Sequence, residues 1–222
     1  MATDVTPAKR ETPGGAAARA YEYVKERLID GRYAGGALLS ENEIARELGL
    51  SRTPVRQAFV ELQGEELIDL YPRRGAVVRP ISASEAEEIL EARLLIETHC
   101  AVRACDDGPR VAGALEPALA RQEAALPDDA AAFAVADIEF HHTIVAANGN
   151  SFLTRQYDAL RERQQRISAA AVSQDPPVIE EFLIGHRAIA AAIEQQDREL
   201  VAEWVAAHIE ATRSLTRRLR FG

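Results

Sequence analysis

Four residues in the second half of the chain have the types and spacing for metal chemistry. In "DIEFHH", Asp137 and His141 stand at i and i+4, one turn apart on a single helical face; His186 follows in "GHRAIAAAI" and His208 in "AAHIEATR". Three imidazoles and one carboxylate converging inside a bundle of helices suit Zn²⁺ or another borderline divalent ion. A histidine in an apolar helix is also commonly a hydrogen-bonded core residue, and spacing alone leaves both readings open. His99 and His142 point elsewhere on their helices and read as structural.

A second chemistry-bearing stretch is "SRTPVRQAF", residues 51–59, where Arg52 and Arg56 lie one turn apart at the start of a helix whose other side carries Val55, Phe59 and Leu62. An arginine fork can bond guanine O6 and N7 together, so paired arginines at a helix N-terminus suit the major groove. Arg93 shares a helical stripe with Ile89, Ile96 and Cys100, which turns its guanidinium inward, where it needs an anion. Glu97 at i+4 is one partner; a bound carboxylate ligand is the other.

The elements that must position these groups divide at about residue 80. Residues 1–18 lack an apolar period and read as a loose arm. From 19 to 80 the elements are short. Tyr21, Val24 and Leu28 share a helical face that Gly31 ends; Ser40 and Glu43 form a capping box before Ile44, Ala45 and Leu48, and Gly49 breaks that helix. The "SRTP" helix comes next, with Ser51 or Thr53 as cap and Pro54 in the first turn. "LIDLYPRRGAVVRP" then reads as a hairpin whose basic tip, Pro72-Arg73-Arg74-Gly75, can lie on phosphates. A short helix, a turn with Gly and a second helix carrying polar groups at its start are what a helix-turn-helix requires.

Beyond Ser82 the chain has long helical periods and no strand signal, with six helices expected: Ser82 to about Cys105, Pro109 to Leu126, Asp128 to Ala147, Ser151 to Val172, Pro176 to Gln195 and Asp197 to Leu219. Short links suggest an antiparallel bundle. Net charge is −9, but residues 1–80 carry 12 basic and 12 acidic residues, so the remaining 14 basic and 23 acidic residues put all the excess acid in the bundle. The N-terminal part is therefore not excluded as a nucleic-acid binder. No stretch reads as a membrane span or secretory signal, so a cytoplasmic location is expected. Cys100 and Cys105, five apart, fit neither a CxxC site nor a disulfide and read as core thiols.

"GGALLSENEIARELGLSRTPVRQAFVELQGEELIDLYPRRGAVV" resembles the winged helix-turn-helix of GntR-family bacterial transcription regulators, with "SRTPVR" as the specific signature. The resemblance implies that Arg46, Arg52 and Arg56 contact DNA, with Thr53 on a phosphate or base and Gly75 at the wing tip. Two departures bear on the end of the recognition helix: Glu66 stands where the family usually has Gly, and Glu61 adds negative charge. "ADIEFHHTIVAANGN", "GHRAIAAAI" and "AEWVAAHI" resemble the effector-binding FCD domain of the FadR subgroup. In many members an Asp and three His bind a divalent metal, and Asp137, His141, His186 and His208 match that pattern. Six helices instead of seven resembles the VanR-type branch. For Arg93 the resemblance implies a carboxylate effector held beside the metal; Asn150 in "NGN" matches a family Asn, or caps a turn.

The expected fold is mainly α: an N-terminal winged helix-turn-helix over 19–80, then an antiparallel all-α bundle over 81–222 for effector binding and dimerisation. The expected function is sequence-specific transcription regulation, most often repression in this family. Its partners would be an inverted-repeat operator, a second copy of the chain and a small carboxylate, and its cofactor a divalent ion, zinc first, with nickel, manganese or iron as alternatives. The competing readings are a regulator that responds to the metal itself and a metal-dependent enzyme acting on a small carboxylate. No HExxH, nucleophile elbow or phosphate loop accompanies the histidines to support the enzyme.

Overall fold

The computed structural model describes residues 13–72, 74–126, 129–174 and 178–218. The chain divides into two compact units, the first from residues up to 28 and 36–79, the second from 29–35 and 80 onward.

The first unit contains α1 (Pro13–Ile29), β1 (Leu38–Leu39), α2 (Glu41–Leu48), α3 (Arg52–Gly64), β2 (Ile68–Tyr71) and β3 (Gly75–Val78). Helix α1 begins within the stretch read as a loose arm: residues 13–18 are helical, and Ala16 and Ala17 are buried. Alanine has the highest helix propensity and loses no rotamer freedom on packing, which the absence of a large apolar period concealed. The part of the arm before residue 13 lies outside the described residues.

Helix α2 starts as its sequence requires, with the Ser40 hydroxyl accepting the Glu43 N–H, and ends at Gly49 in the left-handed region. Ser51 stands at the N-cap of α3, but its side chain makes no capping hydrogen bond there; Pro54 falls in the first turn. Val55, Phe59 and Leu62 are completely buried. Burying each stabilises the unit by roughly 1.5–3 kcal/mol and fixes which face of α3 is left to solvent.

The hairpin forms at the expected place, with Ile68 opposite Val78 and Tyr71 opposite Gly75, while the two-residue β1 adds an antiparallel third strand in the order β1-β3-β2. Gly75 has φ +97°, and a Cβ there would stand 2.2 Å from the Leu39 carbonyl oxygen. The close approach of β1 therefore excludes any larger residue. At the far end of α3, Glu66 takes φ +61°, with its N–H on Gln63 O and that of Leu67 on Leu62 O. This is a left-handed helix stop of the kind glycine usually fills, held here by a glutamate.

The second unit has seven α-helices among the described residues: α4 (Ala83–Ala104), α5 (Gly108–Ala124), α6 (Ala130–Ala147), α7 (Ser151–Asp158), α8 (Arg161–Gln174), α9 (Val178–Glu194) and α10 (Arg198–Arg218). The six-helix expectation is corrected, because the single helix read over 151–172 breaks at Ala159 and Leu160. No Gly or Pro marks that break, which is why sequence periods missed it; the comparison with the VanR-type branch rested on the count and falls with it. Helix α6 is central, burying Phe133, Phe140, Ile144 and Val145 alongside Asp137 and His141. Around it, α5 packs on α6 and α9, and α4 on α6 and α10. Cys100 and Cys105 are free and buried, and burial pushes the Cys100 thiol up to about 11. No helix among the described residues is long and apolar enough to cross a membrane.

Candidate nucleic-acid interface and candidate metal centre

With Val55, Phe59 and Leu62 turned inward, the N-terminus of α3 presents Arg52, Thr53 and Arg56 to solvent. Arg52, Arg56, Arg74 and Gly75 line one concavity of about 450 Å³ with Glu41 and Asn42 from the start of α2. One carboxylate sits among these cations, and it is engaged: Glu41 Oε2 accepts from Arg52 Nη2 at 3.0 Å, which holds the guanidinium over the opening. Arg46 is exposed one turn further along the α2 stripe that carries Asn42, and it does not line the concavity. Asn42 was missed in the sequence; its place in the first turn beside the capping box was the available signal. Arg73 lies outside the described residues.

In the second unit, Asp137, His141, His186 and His208 come together fully buried, their ligand atoms all within 4.8 Å of one another. His186 Nε2 is 3.2 Å from His141 Nε2, 3.3 Å from His208 Nε2 and 3.4 Å from Asp137 Oδ1, and His141 Nε2 is 3.7 Å from the same oxygen. Metal bonds of about 2.0–2.2 Å in a tetrahedron give ligand separations of roughly 3.3–3.6 Å; these four separations are close to that range, so the group could hold one ion.

The partners outside the cluster favour the same geometry. Ser168 donates to Asp137 Oδ2 at 3.3 Å, leaving Oδ1 toward the histidines. His186 Nδ1 meets Gln122 Oε1 at 2.8 Å, which places the proton on Nδ1 and the lone pair on Nε2. His141 Nδ1 lies 2.9 Å from Glu97 Oε2, close but with its N–H not aligned on the oxygen. Gly185 makes room for the third ring, since a Cβ there would be 3.2 Å from His208 Nδ1. With its proton on Nδ1, His186 presents a lone pair at Nε2 toward the His141 and His208 rings, which is the side a cation would occupy.

Electrostatics distinguishes the members. Burial, the neighbouring His208 and the charge of His141 hold His186 well below the usual histidine range, and burial with the charges of His141 and Arg93 takes His208 down to about 3. For His141 burial, the largest influence, would lower the value, but Glu97 and Asp137 together raise it above the usual histidine range. Asp137 stays ionised although burial opposes this, because His141, His186 and Arg93 favour the anion.

Glu97, the expected partner of Arg93, is at the centre of a buried network. Its Oε1 accepts from Arg93 Nε and from the Tyr157 hydroxyl, both at 2.7 Å, and Arg93 retains an Nη2 with no partner. Burial raises the Glu97 carboxyl, yet Arg93 and His141 together hold it well below the usual range. Asn150 stands elsewhere, exposed at the N-cap of α7, where its Oδ1 accepts from the Phe152 and Leu153 N–H groups. It caps the turn there. His142 pairs with Asp158 at 3.2 Å on the surface, and His99 is exposed.

Comparison with known proteins follows the same division. Residues 16–78 match the family of bacterial regulatory proteins, gntR family, and residues 88–211 match the FCD domain. The chain is 31% identical over 207 residues, covering 91% of it and 89% of the relative, to a protein of Paenarthrobacter nicotinovorans named "Probable D-xylose utilization operon transcriptional repressor". It is 34% identical over 158 residues, 70% of this chain and 64% of the relative, to the gluconate operon transcriptional repressor of Bacillus subtilis (strain 168). Its fold resembles that of E. coli McbR/YncC, at 19% identity and a TM-score of 0.72, over 91% of this chain and 97% of that one. The two sequence relatives are named as transcriptional repressors. The chain therefore belongs to the GntR family of bacterial regulatory proteins and is a DNA-binding transcription regulator that carries an FCD domain behind its winged helix.

Proposed function

We propose that this regulator is a homodimeric, cytoplasmic repressor whose operator affinity responds to a small organic acid bound beside a divalent ion. The observation that carries the ligand half is the convergence of three histidine Nε2 atoms and Asp137 Oδ1 at the core of the FCD domain, with an unpartnered Arg93 Nη2 in the same buried centre. Asp137, His141, His186 and His208 would hold the ion, zinc first, with nickel, manganese or iron as alternatives. When bound, the ion supplies a Lewis-acidic position for a carboxylate oxygen. Arg93 Nη2 then offers the anion a charged hydrogen bond away from water. Repressor names among the relatives support the repression, and two of them, for gluconate and galactonate operons, name organic acids, which supports the effector class.

On the DNA, Arg52 and Arg56 would read base edges, and Thr53, Arg46, Arg73 and Arg74 would meet phosphates on either side, with the turn at Gly75 as wing tip. Two copies related by a two-fold axis require an inverted repeat. The acid must bind the DNA-competent and DNA-incompetent arrangements unequally, since equal binding would shift nothing.

The test is selection from random duplexes at stated salt with the zinc-loaded chain, followed by operator titration with D-gluconate, D-xylonate and D-galactonate. An inverted repeat whose affinity falls with one of these acids is the expected result. An operator indifferent to all three, yet lost on chelation of the metal, would replace this reading with regulation by the ion itself.

A further inference from the structure

We propose that Glu97 is a positioning residue shared by the two halves of the buried centre: one carboxylate oxygen aims the His141 ring at the metal position and the other holds Arg93, so each half senses the occupancy of the other. The proposal rests on the metal reading above.

The geometry divides the carboxylate cleanly. Oε2 lies 2.9 Å from His141 Nδ1, within reach although the N–H is not aligned on it, while Oε1 takes both the Arg93 Nε–H and the Tyr157 O–H at 2.7 Å. A carboxylate has about four lone-pair sites, so these partners do not compete. Arg93, Glu97, His141 and Tyr157 are all buried, at 3%, 2%, 1% and 1% exposure.

The same site shows what a neutral partner achieves. Gln122 orients His186 through its amide oxygen at 2.8 Å with no charge at all. Ring orientation alone therefore does not require a charged partner. A buried ion pair is no more stabilising than apolar side chains of similar volume, so stability does not require it either. What an anion adds is basicity at the metal-bound ring, the outer-shell effect known for carboxylate–histidine–metal triads, and an electrostatic link to Arg93. An anion that draws on Arg93 leaves more of the Glu97 charge to His141 and tightens the ion. By linkage, the ion tightens the anion equally.

The experiment is zinc affinity by chelator competition for the full chain, its Glu97→Gln and Glu97→Asp variants, with ¹⁵N spectra of the histidine rings in the zinc-loaded state. Glu97→Gln is expected to weaken zinc about 10- to 100-fold and to move the His141 Nδ1 resonance while leaving His186 unmoved, with Glu97→Asp between it and wild type. Unchanged zinc affinity in Glu97→Gln, or equal movement of His141 and His186, would overturn the proposal. Should neither variant fold, the wild-type spectrum still decides: His141 must carry its proton on Nδ1 with metal on Nε2, and the reverse refutes the assignment. A wild type that binds no divalent ion would instead overturn the metal reading itself.

Discussion

The two units use charge in opposite ways. In the first, the groups suited to a ligand are cations on the surface, typified by Arg52 with its side chain 66% exposed and an ion pair made to a neighbouring helix. In the second they are buried within a packed core, typified by Arg93 at 3%. An exposed arginine can be removed without leaving anything unsolvated. A buried one cannot, since the charge it leaves unpaired costs roughly 3–5 kcal/mol. Recognition in the first unit is therefore separable from folding, whereas in the second the same side chains serve both.

The largest effect expected is at the centre. His186→Ala removes one ligand of four; since structural zinc sites bind with about 10–16 kcal/mol in all, its loss should weaken zinc by about 3 kcal/mol, more than a hundredfold. Saturation at 100 times the dissociation constant stabilises a wild-type domain by about 2.7 kcal/mol, and the variant should lose that rise in thermal midpoint at the same zinc concentration. Equal zinc-dependent stabilisation of both proteins would show that the four residues are an ordinary histidine core, and the comparison would fail at its deeper end.

A smaller and differently shaped effect is expected at Arg56. Arg56→Ala should cost about 1–3 kcal/mol of operator affinity, concentrated at one symmetric pair of base positions. Its unfolding free energy should stay within about 0.5 kcal/mol of wild type, measured by denaturant titration. Uniform weakening across all sequences, with a shallower salt dependence, would move Arg56 from the bases to the phosphates.

How far each region could be read in advance follows from the same contrast. The helix-turn-helix was legible because its signals are local: a capping box at Ser40 and Glu43, Gly49 after α2, Pro54 in a first turn. The four centre residues were legible as a spacing pattern on three helices. Their supporting residues were not. Tyr157 reaches Glu97 across 60 residues and Gln122 reaches His186 across 64, and no local pattern encodes such pairings. Gln122 gave a partial sign, as a polar residue on the stripe of Leu115, Ala118 and Leu119. The break at Ala159 and Leu160 gave none, because alanine and leucine are both strong helix formers.

The smallest effect lies at a position that serves neither function. Glu66 holds a left-handed conformation at the end of the recognition helix, at φ +61°, and its side chain makes only a 3.3 Å ion pair with Arg79, both partners about half exposed or more. Such a pair contributes about 0–1 kcal/mol, while a non-glycine residue in that conformation costs roughly 1–2 kcal/mol. Glycine also loses more chain entropy on folding, by about 0.5–1 kcal/mol. Glu66→Gly should therefore stabilise the first unit by at most about 1 kcal/mol, while Glu66→Ala, which keeps the strain and loses the pair, should not. Both should select the wild-type operator sequence, because the helix stop lies about four turns from Arg52. Glycine and alanine variants that are both less stable than wild type, and by the same amount, would mean that the carboxylate, and not the backbone, governs how this helix ends.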